Sequence, residues 1–388
     1  MVPNGWKPSQ IGDIAKFSSG GTPSKQNADY WGGKEPWISG KDLKTHYLSD
    51  SIDTLTEEGF GVAKRAPEGA TLILVRGMTL LKDFPVGFAT REVAFNQDLK
   101  ALVPVKGVDG LFLSFLLVAE KHKIRQLVST AGHGTGRLDT HSIQEYPVNL
   151  PPLPEQKKIA QILSTWDQAI TTTEQLLANS QQQKKALMQQ LLTGKKRLLD
   201  KDGVRFGGEW KRVELGDLLD YQQPTPFLVE NTEYSDDFST PVLTAGKTFI
   251  LGYTDEESGI FSENLPAIIF DDFTTDSKFV DFPFKAKSSA MKILTAKNGV
   301  SIRFVYEAMQ LIDFAVGGHQ RHWISIYSHL VIPFPEKEEQ QKIAAVLTTA
   351  DQEITTLQKK LDKLKQEKQA LMQQLLTGKR RVKVEAAA

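Results

Sequence analysis

The chain has 388 residues, 40% of them hydrophobic, no cysteine, and 47 basic against 47 acidic side chains. That length allows two or three globular domains, and the missing thiols exclude disulfides, thiolate metal sites and a cysteine nucleophile, which suits a reducing, cytoplasmic setting. No apolar run approaches the roughly 18 residues of a membrane span, and the start shows no signal-peptide pattern, so neither membrane insertion nor secretion is expected.

The first block, residues 1–153, opens on Trp6-Lys7 and Ile11-Gly12-Asp13. Apolar runs at 70–75 and 148–150 predict strands, and 111–128 predicts a helix. Residues 154–198 then form a long helix bracketed by proline before and Thr-Gly after. The block 199–334 restarts with Trp210-Lys211 and Leu215-Gly216-Asp217, and includes a predicted strand at 267–270. Residues 335–388 hold a second long helix and a tail. Residues 151–198 and 335–382 are nearly one segment written twice, 184 positions apart without a gap, whereas the heads repeat at an offset of 204. The first head therefore carries about twenty extra residues on the same frame, and differing interiors suggest two different things recognised.

In the second helix Ile343, Leu347, Ala350, Ile354, Leu357, Leu361, Leu364, Lys368, Leu371 and Leu375 step alternately by four and three. The first helix repeats this with Ile159, Leu163, Trp166, Ile170, Thr173, Leu177, Ser180, Lys184, Leu187 and Leu191. Such a heptad seam needs a partner helix, and its polar members fix register. An ordinary structural coiled coil or a homodimer zipper is the plainer reading of one seam, but two matched seams in one chain predict an intramolecular pair. Antiparallel packing spares the second head a return journey of about 50 Å, the length of some 33 residues at 1.5 Å each. The expected fold is α+β: two globular domains at opposite ends of an antiparallel two-helix coiled-coil stalk, with pseudo-two-fold symmetry. Such a rod could read two half-sites on a duplex, about 15 base pairs long at roughly 3.4 Å per pair.

Charge is unevenly spread. Basic against acidic residues number 17 and 16 in 1–153, 7 and 3 in 154–198, 12 and 20 in 199–334, and 11 and 7 in 335–384. The acidic second head argues against a polyanionic partner there unless a local basic patch serves it.

The chain resembles the specificity subunits of type I restriction-modification systems over essentially its whole length. The resemblance is carried by Pro152-Leu153-Pro154-Glu155-Gln156 with Ile159-Ala160, by Pro335 with Glu339-Gln340-Gln341-Lys342-Ile343-Ala344, and by the Leu-Leu-Thr-Gly ends at Gly194 and Gly378. In the heads it is carried by Gly20-Gly21-Thr22-Pro23-Ser24, Tyr30-Trp31-Gly32-Gly33, Pro36-Trp37-Ile38-Ser39, Lys41-Asp42-Leu43, Gln223-Pro224-Thr225 and Asp271-Asp272-Phe273-Thr274. It implies a non-catalytic subunit that recognises an asymmetric, interrupted sequence in double-stranded DNA, one half-site per head. It further implies two adenine-N6 methyltransferase subunits and restriction/translocase subunits as partners, with S-adenosylmethionine, ATP and Mg belonging to those partners and no cofactor in this chain. Candidate partner contacts are Gln156, Lys158, Gln340 and Lys342 at the helix starts. A coiled-coil adaptor that touches no DNA is the alternative.

The chain's own chemistry is sparse. Gly246-Lys247-Thr248 lacks the upstream glycine of a phosphate-binding loop, Pro241 standing there instead. The only Pro-Pro pair lies between Leu150 and Leu153, without the Asn or Asp of an adenine methyltransferase motif. Glu209-Trp210-Lys211 has a nuclease-like form, yet its counterpart Gly5-Trp6-Lys7 lacks the acid, and His319 with His322 has no carboxylate company for a metal.

Candidate DNA contacts follow from base-edge and phosphate chemistry. The strand at 71–75 delivers Arg76-Gly77, with Lys82 and Arg91 near the same edge. The glycine-rich stretches carrying His133 and Arg137, and His319, Gln320 and Arg321, fall in equivalent places, with plain glycine turns as the competing reading. Lys41, Lys247, Lys285, Lys287 and Arg303 complete the set; ordinary surface cations are their bland alternative. Tyr30, Trp31 and Trp37 read as packing rather than base stacking, and the basic ends Lys195-Lys196-Arg197 and Lys379-Arg380-Arg381 complement the helix dipoles.

Overall fold

Two 39-residue helices, Leu153–Leu191 and Lys337–Leu375, run through a computed structural model that describes residues 2–131, 134–244, 246, 248–313 and 322–384. Every position of both predicted seams is buried or half-buried, as a heptad stripe requires. The chain divides into two units: Met1–Thr173 with Lys360–Ala388, and Glu174–Lys359. Each unit thus takes one head, part of one helix and the opposite part of the other.

Within the first unit the start of the first helix meets the end of the second, so the pair is antiparallel there. Ile159, Ala160 and Leu163 share one core with Met372, Leu375 and Leu376. In the second unit the same arrangement joins Met188, Leu191 and Leu192 to Ile343, Ala344 and Leu347. The polar seam residues are satisfied inside each unit. Lys184 Nζ lies 2.7 Å from Asp351 and 3.1 Å from Glu307, Ser180 donates to Glu353 at 3.1 Å, and Lys368 pairs with Asp167.

The first head is built on several sheets rather than the single sheet expected. A five-stranded sheet is ordered Ala15–Ser19, Leu99–Pro104, Thr71–Leu74, Val86–Ala89, Tyr47–Leu48, and the helix Gly110–Arg125 packs against it. All four residues of Thr71–Leu74 are buried, which explains its unbroken apolar run. A four-stranded sheet contains Trp31–Ile38, and a small three-stranded one is ordered Ser129–Ala131, Thr135–Arg137, Arg76–Gly77. In the second unit a four-stranded sheet runs Leu219–Gln222, Met291–Ala296, Ala267–Asp271, Ser277–Val280, with a separate core of Leu243, Phe261 and Phe284 beneath a three-stranded sheet.

The common frame is visible in the strand register. Lys7–Gln10 pairs antiparallel with Pro147–Leu150, and Lys211–Glu214 pairs in the same way with Val331–Phe334. Ala101 faces Ser18 and Ile293 faces Gln222, so Lys100 and Lys292 are counterparts. Lys100 faces Ile73 and Lys292 faces Phe270, which makes Val75 the counterpart of Asp272. Two backbone bonds repeat on that register: Leu138 N donates to the Val75 carbonyl at 2.9 Å and His322 N to the Asp272 carbonyl at 3.0 Å. The first head's extra residues thus enter between strands while the strands keep their pairing.

Candidate nucleic-acid interface

A polar lock fastens each head to its helices. Glu155, 2% exposed, accepts from the Trp6 indole Nε1 at 3.2 Å and from Arg381 Nε and NH2 at 2.6 and 2.7 Å. Glu339, 1% exposed, accepts from Trp210 Nε1 at 3.0 Å and from Arg197 Nε and NH2 at 2.6 and 2.7 Å. A buried carboxylate needs this company, because charge away from water is costly unless paired and hydrogen-bonded. The repeated Trp, Glu and Arg of the sequence are therefore one device used twice. The glycines of the two Leu-Leu-Thr-Gly ends have φ of +73° at Gly194 and +69° at Gly378, which lets the chain turn back so that the arginine reaches its carboxylate.

Gln156 and Gln340 are each 1% exposed and hold the helix starts to their own heads. Gln156 Oε1 accepts from Asp109 N at 2.8 Å while its Nε2 donates to the Gly107 and Pro151 carbonyls at 3.2 and 2.8 Å. Gln340 accepts from Ser301 N at 2.9 Å and donates to the Pro335 carbonyl at 2.8 Å. Asp109 and Ser301 are themselves N-caps of the helices Gly110–Arg125 and Ile302–Met309. Both amides are spent inside the fold, so they are not surface contacts for another subunit. Lys342 donates to the Leu199 carbonyl at 2.9 Å. Lys158 is exposed and borders a groove of about 770 Å³ with Trp166, Leu371, Arg380 and Lys383.

The first head brings Arg76 and Arg137 together. They are register partners on adjacent short strands, Arg76–Gly77 and Thr135–Arg137, and both line a polar cleft of about 150 Å³ with Gln97 and Lys100. Both guanidinium groups are exposed, and neither has a carboxylate within 4 Å among the described residues. Lys100 Nζ donates to Ser19 Oγ at 2.5 Å, and Gln97 Oε1 accepts from Thr22 Oγ1 at 2.5 Å. Sequence reading missed Lys100 and Gln97, because their place beside the Gly20-Gly21-Thr22 motif follows from the pairing of remote strands. A Cβ at Gly20 would sit 2.0 Å from the Asn96 carbonyl, so only glycine allows that approach. From beneath, Trp37 Nε1 donates to the Gly21 carbonyl and Trp31 Nε1 to the Ser24 carbonyl, each at 3.1 Å, and the two indoles meet edge to face. These aromatics pack and hold the loop.

Other expected contacts fall elsewhere. Lys41 is an exposed turn residue, and Lys82 is exposed with its carbonyl accepting from Arg125 at 2.6 Å. Arg91 pairs with Glu35 at 2.5 Å and is not part of the cleft. Lys287 is half-buried, with Nζ 5.7 Å from the centre of the Tyr234 ring. Two corrections concern the second head. Lys285 is not part of an exposed basic spot: it is 2% exposed, with Nζ 2.7 Å from Glu256 and 2.6 Å from the Ser258 carbonyl. Arg303 is an internal anchor, paired with Asp351, 2.7 Å from Glu307 and stacked on Phe279. Glu256 of Lys285 and Asp351 of Arg303 are remote in sequence, whereas Glu307 stands one helical turn from Arg303, a pair that the sequence offered and the reading overlooked. His133, Lys247, His319, Gln320 and Arg321 lie outside the described residues. His322 is buried, its Nδ1 2.9 Å from the Asp272 carbonyl, and no cluster of three or more His, Asp or Glu able to hold a metal occurs among the described residues.

Two heads that differ inside yet are fastened by the same Trp-Glu-Arg lock define a chain built by duplication of one head-and-helix frame. The family described as the type I restriction modification DNA specificity domain matches residues 3–179 and 207–366, and the chain belongs to that family. It is 49% identical over 150 residues to the specificity subunit of the Escherichia coli enzyme EcoR124I/EcoR124II, covering 37% of this chain and 36% of that protein. The chain thus matches about a third of the length of that relative. It is 25% identical over 420 aligned positions to the putative type I restriction enzyme MjaX specificity subunit of Methanocaldococcus jannaschii, covering 98% of this chain and 95% of the relative. The fold is similar to the crystal structure of a type I restriction-modification S subunit from M. genitalium, with TM-score 0.68, 15% identity, and coverage of 97% and 99% of the two chains. Among the described residues no helix is long and apolar enough to cross a membrane.

Proposed function

We propose that this chain is the DNA sequence-recognition subunit of a type I restriction-modification complex, reading a bipartite asymmetric target with one half-site per head. The observation that carries this reading is the twice-used lock and glutamine anchor beneath two different rims, one of which presents Arg76 and Arg137 side by side. A frame repeated under divergent rims suits recognition of two unlike half-sites. Adenine-N6 methyltransferase subunits, two per chain, and restriction/translocase subunits are its partners in the cytoplasm. The chain itself performs no catalysis, and S-adenosylmethionine, ATP and Mg act on those partners. Lys158 and the exposed helix faces beside it are available to them; Gln156 and Gln340 act indirectly, by setting where each helix starts. The test is methylation-sensitive sequencing of a host carrying the complete system, with and without this chain. One interrupted adenine-methylated motif that disappears on deletion is expected. Methylation unchanged by the deletion, or a motif without a gap, sinks the reading.

A further inference from the structure

We propose that the cleft formed by Arg76, Lys100 and Arg137 in the first unit grips backbone phosphates of duplex DNA, and that the second unit has lost this grip by neutralising its equivalent lysine internally. The inference rests on the reading of the chain as a DNA-recognition subunit and adds where its sequence-independent affinity resides.

Three cations border one cleft of about 150 Å³. That is below the roughly 300–1,000 Å³ typical of small-molecule sites, and at about 30 Å³ per water it has room for a group the size of an ion and a few waters. Lys100 Nζ has a neutral neighbour, Ser19 Oγ, and no carboxylate within 4 Å among the described residues. One acidic residue, Asp139, lines the cleft, but its carboxylate caps the following short helix by accepting from Ser142 N at 3.0 Å and Ser142 Oγ at 3.3 Å. Two guanidinium forks and one ammonium bordering one cleft suit phosphate oxygens, which take charge-assisted hydrogen bonds from several donors at once.

The second unit offers an internal comparison at the same strand positions. Lys292, the counterpart of Lys100, is 1% exposed, 3.4 Å from Asp272 Oδ2, and donates to Gln223 Oε1 at 3.1 Å. Asp272 stands where the first unit has Val75, and its other oxygen accepts from Trp323 N at 2.9 Å. Phe273 follows it where the first unit has Arg76. The lysine is present in both units, but only the first leaves its charge uncompensated. The count of 12 basic against 20 acidic residues in 199–334 agrees with this division.

The experiment uses the full-length chain assembled with its methyltransferase subunits. Binding to a mixed-sequence duplex and to a duplex carrying the methylated motif is measured by anisotropy across a salt series. All three cleft side chains are exposed or half-buried, so R76A, K100A and R137A should fold; K363A, an exposed lysine on the second long helix, is the control. Each cleft variant is expected to weaken binding to both duplexes alike and to flatten the log–log salt slope by about 0.9, the triple variant by nearly three times that. The ratio between the two duplexes stays unchanged, and K363A leaves the slope alone. An unaltered slope in the triple variant overturns the proposal. So does a loss confined to the motif duplex, which would make these residues base readers. A wild-type complex that binds both duplexes equally sinks the recognition reading while leaving the slope measurement valid, and one that binds neither sinks both.

Discussion

Gln156 and Gln340 each join a helix start, the cap of a second helix and a proline carbonyl through one amide. Replacing either with alanine strands a partly buried backbone N–H, of Asp109 or Ser301, and is expected to cost about 1 kcal/mol or somewhat more. Urea denaturation of the single variants checks this, and the loss should be similar in both because the bonding repeats. His46 gives the first unit an acid-sensitive point. Its ring stacks on Phe115 with centroids 4.9 Å apart, and Nε2 lies 3.1 Å from Ser114 Oγ. Burial pushes its pKa down from 6.5 to about 4, with nearby Lys368 acting the same way and Asp167 opposing. The fold prefers the neutral ring, so this contribution is full above pH 6.5 and is lost as pH falls towards 4. The loss is on the order of 3 kcal/mol, and H46N should flatten the stability profile across that window in thermal melts.

At the scale of elements, the long helices were legible because their stripe is strong and long, and the structure spends its polar seam residues on specific partners. Lys184 with Asp351 and Lys368 with Asp167 fix register by penalising any slipped pairing that buries a lone lysine. Removing one heptad from the middle of each helix shortens it by about 10 Å at 1.5 Å per residue. The gap tolerated between half-sites is therefore expected to shrink by about three base pairs, with the half-sites unchanged. Sequencing the methylated motif of such a mutant measures it, and an unaltered gap would show that the helices do not set the spacing. The heads were less legible, since their elements depend on pairings between remote segments. Strands at 71–74 and 267–271 stood out as buried apolar runs, whereas the division of the first head among several sheets did not. The cleft shows the reason: Lys100 reaches Arg76 only through the order of a five-stranded sheet, and no local pattern encodes that order. Lys285 misled for the converse reason, its carboxylate Glu256 being supplied by a distant residue, while Arg303 has one remote partner, Asp351, and one a helical turn away, Glu307.

On the whole-molecule scale, the duplicated sequence does not fold as two consecutive halves. The second unit is one unbroken stretch, Glu174–Lys359, while the first needs both Met1–Thr173 and Lys360–Ala388. A chain cut after residue 359 should therefore keep the second unit resistant to limited proteolysis and leave the first one sensitive; equal resistance of both would contradict this division. Arg381 makes the dependence concrete, since besides Glu155 it donates to the Asn4 carbonyl at 2.5 Å, across 377 positions of sequence. During synthesis the first head is translated before its clasp, so its lock is expected to form only after residue 381 has been made. A message cut short before the second helix's end is then expected to yield a leading head that lacks both Arg381 and the packing of Met372, Leu375 and Leu376.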